Sequence, residues 1–161
     1  MSQHIEADAV CGASGPCALH GRSQGAIAVL CPSDLKPTGS KKDDLSGVPV
    51  VGMPSPSANS VRPGVSYFHK THIIGDKFSG DPVAENLFAG HSRMNLSGMK
   101  RCERKMIKQL EAGNSVLYSG QLSYADPSDQ RPDAIQMKAF TKAGPLFNAR
   151  VQNNDQWQQT C

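Results

Sequence analysis

The stretch that most restricts how this chain can fold is LSGMKRCERKMIKQLEA, residues 96–112, followed by Gly113 and Asn114. At about 100° per residue, Met99, Cys102, Met106, Ile107 and Leu110 share one face. Lys100, Arg101, Arg104, Lys105 and Lys108 share the other. Gly and Asn tolerate the left-handed turn that ends a helix. The pattern therefore predicts a helix with one side on a core and five cations toward solvent. Glu103 falls in the middle of the apolar side. An ionised carboxylate buried there without partners costs several kcal/mol, so it must be paired, protonated or beside a metal. Taken alone, a structural ion pair with Arg93 or Arg131 is the ordinary explanation. The basic face either binds phosphates or is simply solvated. For most of it the solvated reading is preferred, because the reactive side of this helix is the other one.

The rest of the chain divides by punctuation. Its 161 residues suit one domain of about 100–200 residues. Residues 1–64 are broken so often by Pro, Gly and Ser that long elements cannot persist. Strands are expected there only near Ala26–Cys31 and Val48–Gly52, with Met53–Gly64 a loop. From residue 65 the pattern tightens. Ser66–Ile74, rich in β-branched and aromatic residues, predicts a strand. The polar connection GDKFSGDPVAEN leads on toward the helix, and Ser115–Tyr124, Ala134–Phe140 and Leu146–Gln152 predict an antiparallel meander. The chain is thus read as a loop-rich N-terminal region 1–64, an α+β core 65–152 and a polar, loosely held tail 153–161.

Composition sets limits. The formal net charge is +3, which permits nucleic-acid binding without requiring it. The odd count of five cysteines (Cys11, Cys17, Cys31, Cys102, Cys161) argues against a closed disulfide framework. Zinc-type CxxC pairs are absent, and one bridge among Cys11, Cys17 and Cys31 is open in an oxidising compartment. The start, MSQHIEADAV, does not read as a signal peptide. No apolar run approaches the ~20 residues that span a bilayer, so no membrane partner is expected.

Several short motifs occur in a fixed order: His72-Ile73-Ile74, Phe78-Ser79-Gly80, Asn86-Leu87, then Asn95 and, eight residues on, Glu103. Ala112-Gly113, a strand ending in Tyr124, and Arg131-Pro132 follow. This set resembles the DNA/RNA non-specific endonucleases of the His-Me finger group, and most of all the nuclease domains of bacterial secreted toxins. The resemblance covers roughly residues 65–152. It implies an α+β fold, a ββα-metal (His-Me finger) core set on a small antiparallel sheet, with a loop-rich N-terminal region.

It also implies a metal-dependent endonuclease acting on DNA and, by the same chemistry, RNA. His72 would be the general base. Asn95 would bind Mg²⁺ or Mn²⁺ directly, and Glu103 would hold the waters around it. A neutral imidazole suits proton abstraction near neutral pH. Mg²⁺ keeps most of its waters, so one hard-oxygen protein ligand suffices. An arginine would stabilise the transition state. Arg93, Arg101, Arg104 and Arg131 are the candidates, Arg93 and Arg131 foremost, while Lys100, Arg101 and Arg104 are expected along the nucleic acid. By the same resemblance the chain is part of a larger secreted effector delivered into the cytoplasm of a target cell, with a cognate immunity protein as partner.

The pattern is departed from at Thr71, where Gly is common, at His69, where an acidic residue is common, and at Ile107, where a basic residue is common. His69 lies three residues before His72 and is expected on the opposite face of the strand, in a structural or solvent-facing role. His91 is read as a loop residue, and His4 and His20 receive no role. Two other readings stand beside the nuclease. One is a catalytically weak or inactive nuclease-like module that binds nucleic acid or a partner protein. The other is an extracellular domain stabilised by disulfides or metal around Cys11, Cys17 and Cys31.

Overall fold

The computed structural model describes residues 22–161. Its main sheet has four antiparallel strands in the order β1-β6-β7-β8: β1 Gly25–Leu30, β6 Val116–Ser123, β7 Ala134–Thr141 and β8 Gly144–Gln152. Buried and exposed residues alternate along β6, as a sheet with one covered face requires. The helix α1, Lys100–Glu111, packs over β6 and β8. Met99, Cys102, Met106 and Leu110 join Tyr118, Ile135, Met137 and Val151 in one core, while the five cations of the basic face stay exposed. The helical periodicity thus identified the buried side correctly.

A two-stranded ribbon stands beside this sheet. It pairs β4, Phe68–His72, with β5, Leu87–His91. Strand β5 is absent from the sequence reading, because a five-residue run containing Gly90 carries little strand signal. Gly90 is needed there: a Cβ would come 2.5 Å from Thr71 Oγ1 on the paired strand. A smaller hairpin, β2 Ser60–Arg62 with β3 Val65–Ser66, occupies the end of the expected loop 53–64.

Three further expectations change. The strand expected at Val48–Gly52 is not formed, and the segment runs as turns. Pro49 offers no N–H to a ladder, and the Val48 carbonyl instead accepts a hydrogen bond from Lys70 Nζ at 2.6 Å. Strand β1, from the loop-rich region, is an edge strand of the main sheet with its inward residues in the core.

The tail is held firmly. Asn153 Nδ2 donates to the carbonyls of Ala89 and Pro132, and Gln158 N donates to Ser97 Oγ. A disulfide joins Cys161 to Cys102 on α1. Cys31 is unbridged among the described residues, and Cys11 and Cys17 lie outside them.

Candidate active site

His72 is the last residue of β4, and the chain beyond it is fixed by hydrogen bonds that leave little freedom. Ile73 N donates to the Asn86 carbonyl, and Ile74 N donates to Asn86 Oδ1. Asn86 Nδ2 returns a bond to the Ile74 carbonyl, and buried Tyr118 donates its hydroxyl hydrogen to the Ile73 carbonyl. Asn86 is fully buried, so its place in the sequence pattern is structural: it bolts the turn that follows the histidine. Gly80 closes that turn against the Ile74 carbonyl, where no side chain fits.

His72 Nε2 is buried and has no hydrogen-bond partner among the described residues. Burial lowers the imidazole pKa below its ordinary 6.5. The negative charges of Asp76 and Asp43 pull it back up in part, and Lys36 opposes them. The ring is therefore neutral at pH 7, with an unfilled nitrogen.

Asn95 comes from the other side. Residues Met94–Met99 form a π-helical turn leading into α1; such wide turns recur at functional sites. Gly98 is required inside it, since a Cβ would meet the Val151 side chain at 2.5 Å. Glu103 sits in the first turn of α1 and lies against Gly75, where a Cβ would come 2.5 Å from Glu103 Oε2. The bare glycine leaves room for the carboxyl. The ion pair with Arg93 or Arg131 considered above is not made, and no other ion pair holds Glu103 among the described residues. Although the residue as a whole keeps partial exposure, burial pushes its carboxyl pKa up to about 7, with Lys100 pulling the other way. It is the unpaired, desolvated carboxylate that the sequence pointed to.

His72, Asn95 and Glu103 meet in one cleft of about 690 Å³. Lys100 and Arg104 of α1 line it too, so part of the helix face read as solvated borders the cleft. Arg101 is exposed on the helix and does not line it. Arg93 is exposed at the start of the π-turn and also stays outside. Arg131 is elsewhere: its guanidinium stacks over the Phe68 ring at 4.1 Å and its Nε donates to the Gly52 carbonyl. His91 packs against the same Phe68 ring, 4.3 Å between centroids with the planes tilted by 41°. Both line a separate shallow hollow that contains none of the three site residues.

His69 reaches the cleft as well. His69, Lys70 and His72 all line the cleft, although the first and last are an odd number of residues apart. The ribbon is only two strands wide and His72 ends its strand, so the cleft wraps around it and takes residues from both faces. His69 Nδ1 lies 3.2 Å from Asn95 Nδ2.

The opposite wall was missed altogether. It is the loop around Lys36, Lys42 and Asp43, clasped to the histidine-bearing segment by a Lys36–Asp76 ion pair at 2.7 Å and by Lys77 Nζ donating to the Lys36 carbonyl. The paired Lys41-Lys42 was the one visible hint, and it had no periodicity to place it.

The oxygen donors lining the cleft are the Asn95 amide, the Glu103 carboxyl and the carboxylates of Asp43 and Asp76; Lys36 pairs with both aspartates, which leaves Asn95 and Glu103 as the donors without a salt bridge. No cluster of three His, Cys, Asp or Glu able to hold a metal exists among the described residues. This donor set suits a hard divalent ion that retains most of its water, and does not suit a structural zinc. The desolvated, unpaired carboxylate fits such an ion, since a nearby cation offsets the cost of its charge.

A family model for DNA/RNA non-specific endonucleases matches residues 28–143. The chain belongs to that family. Family membership makes it a hydrolase of phosphodiester bonds. Solved structures agree on the fold. NucA from Streptococcus agalactiae with magnesium ion bound is 17% identical, with a TM-score of 0.69, over 84% of this chain and 67% of that one. The same protein with no metal bound is 18% identical at a TM-score of 0.66, over 83% of this chain and 66% of that one. Sda1 nuclease with bound zinc ion is 18% identical at 0.67, over 95% of this chain and 75% of that one. The endonuclease chain thus spans about two thirds of NucA's length. Among curated proteins no sequence matches it. The fold is ββα-metal: β4 and β5 supply the two strands, and the π-turn with α1 supplies the helix.

Proposed function

We propose that this chain is a metal-dependent endonuclease that cuts DNA, and RNA by the same chemistry, with His72 as general base. The observation that carries the reading is the unpartnered, buried Nε2 of a neutral His72 in the cleft that also holds Asn95 and Glu103. Nε2 is the atom that takes a proton from water as its oxygen attacks phosphorus. The phosphorus–oxygen bond opposite the attacking oxygen then breaks, and the leaving oxygen is protonated from solvent. A divalent cation, Mg²⁺ or Mn²⁺, would be held by Asn95 directly and by Glu103 through water, and would neutralise charge growing on the phosphoryl and leaving oxygens. Magnesium in NucA and zinc in Sda1 nuclease support a divalent ion here.

Of the arginines considered, Arg104 is the one whose position fits the transition state, because it lines the cleft. Lys100 and Lys42 line it as well and would neutralise phosphates on either side without reading sequence. Arg101 has the weaker claim of an exposed neighbour.

The biological setting we propose is a secreted nuclease effector, active in a target-cell cytoplasm and countered in the producer by an immunity protein. The sequence resemblance to secreted-toxin nuclease domains supports it, as does the fold likeness to an extracellular endonuclease, TM-score 0.56 and 14% identity. No helix among the described residues is long and apolar enough to cross a membrane. Incubation with plasmid DNA and with RNA, in Mg²⁺ and in chelator, tests the activity. Metal-dependent cutting that weakens in Asn95→Ala and recovers at raised Mg²⁺ is expected. Absence of cutting across several divalent metals, by folded protein, favours a binding module instead. Cytoplasmic expression in bacteria should stop growth, and His72→Ala should relieve it.

A further inference from the structure

An asparagine is an ambiguous cation ligand. Its amide is nearly symmetric in shape, but one end offers lone pairs and the other two N–H donors. Turned the wrong way it presents hydrogens to a cation. Some neighbour must decide which end faces the cleft.

Here Asn95 Nδ2 is within 3.2 Å of His69 Nδ1. A ring nitrogen facing an amide NH₂ can only accept, so this contact requires the imidazole that carries its proton on Nε2. We infer that His69 is a positioning residue: its Nδ1 accepts a hydrogen bond from Asn95 Nδ2 and so leaves the Asn95 carbonyl oxygen as the end available to a divalent cation. This rests on the reading of Asn95 as a cation ligand and names what orients it.

Three observations support the assignment. His69 reaches the cleft that holds His72. Its backbone is fixed on both sides, by pairing with Gly90 of β5 and by Thr71 Oγ1 donating to the His69 carbonyl. Asn95 in turn sits in a π-turn held by Ser97 Oγ donating to the Arg93 carbonyl and accepting from Gln158 N. Both backbones are held, and with His69 Nδ1 as the acceptor the contact between the side chains selects the amide orientation. His69 holds no reacting atom in this account; its effect passes through Asn95. Partners of metal ligands commonly set affinity by about 10–100-fold.

Two substitutions separate this role from simple packing. His69→Asn places an oxygen where Nδ1 stands, and His69→Phe keeps ring volume without an acceptor. The full chain is stripped of metal and titrated with Mg²⁺ by calorimetry, beside the parent and Asn95→Ala. His69→Phe should bind about 10–100-fold more weakly, with metal-free thermal stability close to that of the parent. His69→Asn should stay within roughly threefold, because it restores the acceptor.

Equal affinity in His69→Phe and parent overturns the assignment, and so does a His69→Asn variant as weak as His69→Phe. A flat titration for the parent, identical to Asn95→Ala, removes the cation reading and this inference together. A readout without metal completes the test: imidazole ¹⁵N spectra of the metal-free parent at pH 8. Protonated Nε2 and bare Nδ1 at His69 are expected. Protonated Nδ1 refutes the hydrogen bond.

Discussion

Replacing Glu103 by glutamine should stabilise the metal-free protein at alkaline pH while weakening its response to magnesium. Burial places the Glu103 pKa at about 7, against an ordinary 4.5. A folded-state value above the unfolded one means that protonation favours the fold. The resulting stability is fully present below pH 4.5 and is lost as pH rises through 7. Linkage between these two values gives a cost to the folded state of about 3 kcal/mol at pH 8 and under about 1 kcal/mol at pH 5. Water reaching the partly exposed residue reduces both figures.

Glutamine has the same shape and no charge, so Glu103→Gln escapes the cost. Its advantage over the parent should therefore grow by roughly 2 kcal/mol between pH 5 and pH 8. For a chain of this size that is a relative gain in Tm of about 4–8 °C. Thermal unfolding in chelator at the two pH values measures it directly. Mg²⁺ at a concentration that just saturates the parent at pH 8 should then raise the parent's Tm and raise that of Glu103→Gln by less. A Tm difference that does not change with pH would refute the claim of a desolvated carboxyl. A variant stabilised by Mg²⁺ as much as the parent would refute its role toward the cation.

Other consequences follow from the same geometry. With Mg²⁺ saturating, so that the cation keeps Glu103 ionised, the pH profile of kcat/KM should fall on the acid side with a midpoint below 6.5, because burial lowers the His72 pKa and the protonated ring cannot accept a proton; a midpoint at or above 7 contradicts this. The same depression makes the neutral ring's contribution to stability present above 6.5 and lost as pH falls through the lower folded value. Reducing the Cys102–Cys161 bridge, which closes a separation of 59 residues, should cost about 4 kcal/mol on the chain-entropy account, read as a lowered Tm; Cys161→Ser should behave alike, and an unchanged Tm refutes it. Arg104→Ala should lower kcat by about 10²–10³-fold with Mg²⁺ affinity retained, whereas Arg131→Ala should leave kcat unchanged and lower Tm by freeing Phe68.

The helix was legible because its period is long and unbroken: Met99, Cys102, Met106 and Leu110 needed no tertiary information to be placed inside. The three meander strands were legible for a similar reason, with alternation over eight or nine residues. Glu103 stood out because it violated the pattern around it. Strand β5 was not legible, since Leu87–His91 is short and its stability comes from pairing with β4. The cleft wall around Lys36–Asp43 was invisible for a deeper reason. It is held by Lys36, Lys77 and Lys70 reaching carboxylates and carbonyls of other segments, contacts that leave no trace in local sequence. The reach of His69 into the cleft was not legible, because alternation along β4 tells which face a residue takes and not how far the cleft extends around a two-stranded ribbon. Arg131 illustrates the converse: a recognisable motif position whose side chain packs on an aromatic ring away from the chemistry.

The most direct test of the central claim is plasmid cleavage in Mg²⁺ by the parent and by His72→Ala, with both proteins shown to be folded. Metal-dependent cutting by the parent is expected, with a loss of about 10²–10⁴-fold in kcat for the variant and Mg²⁺ affinity kept. Cutting by His72→Ala at the parent's rate would contradict the central claim, because among the described residues the other imidazole lining the cleft is His69, whose Nδ1 lies against Asn95.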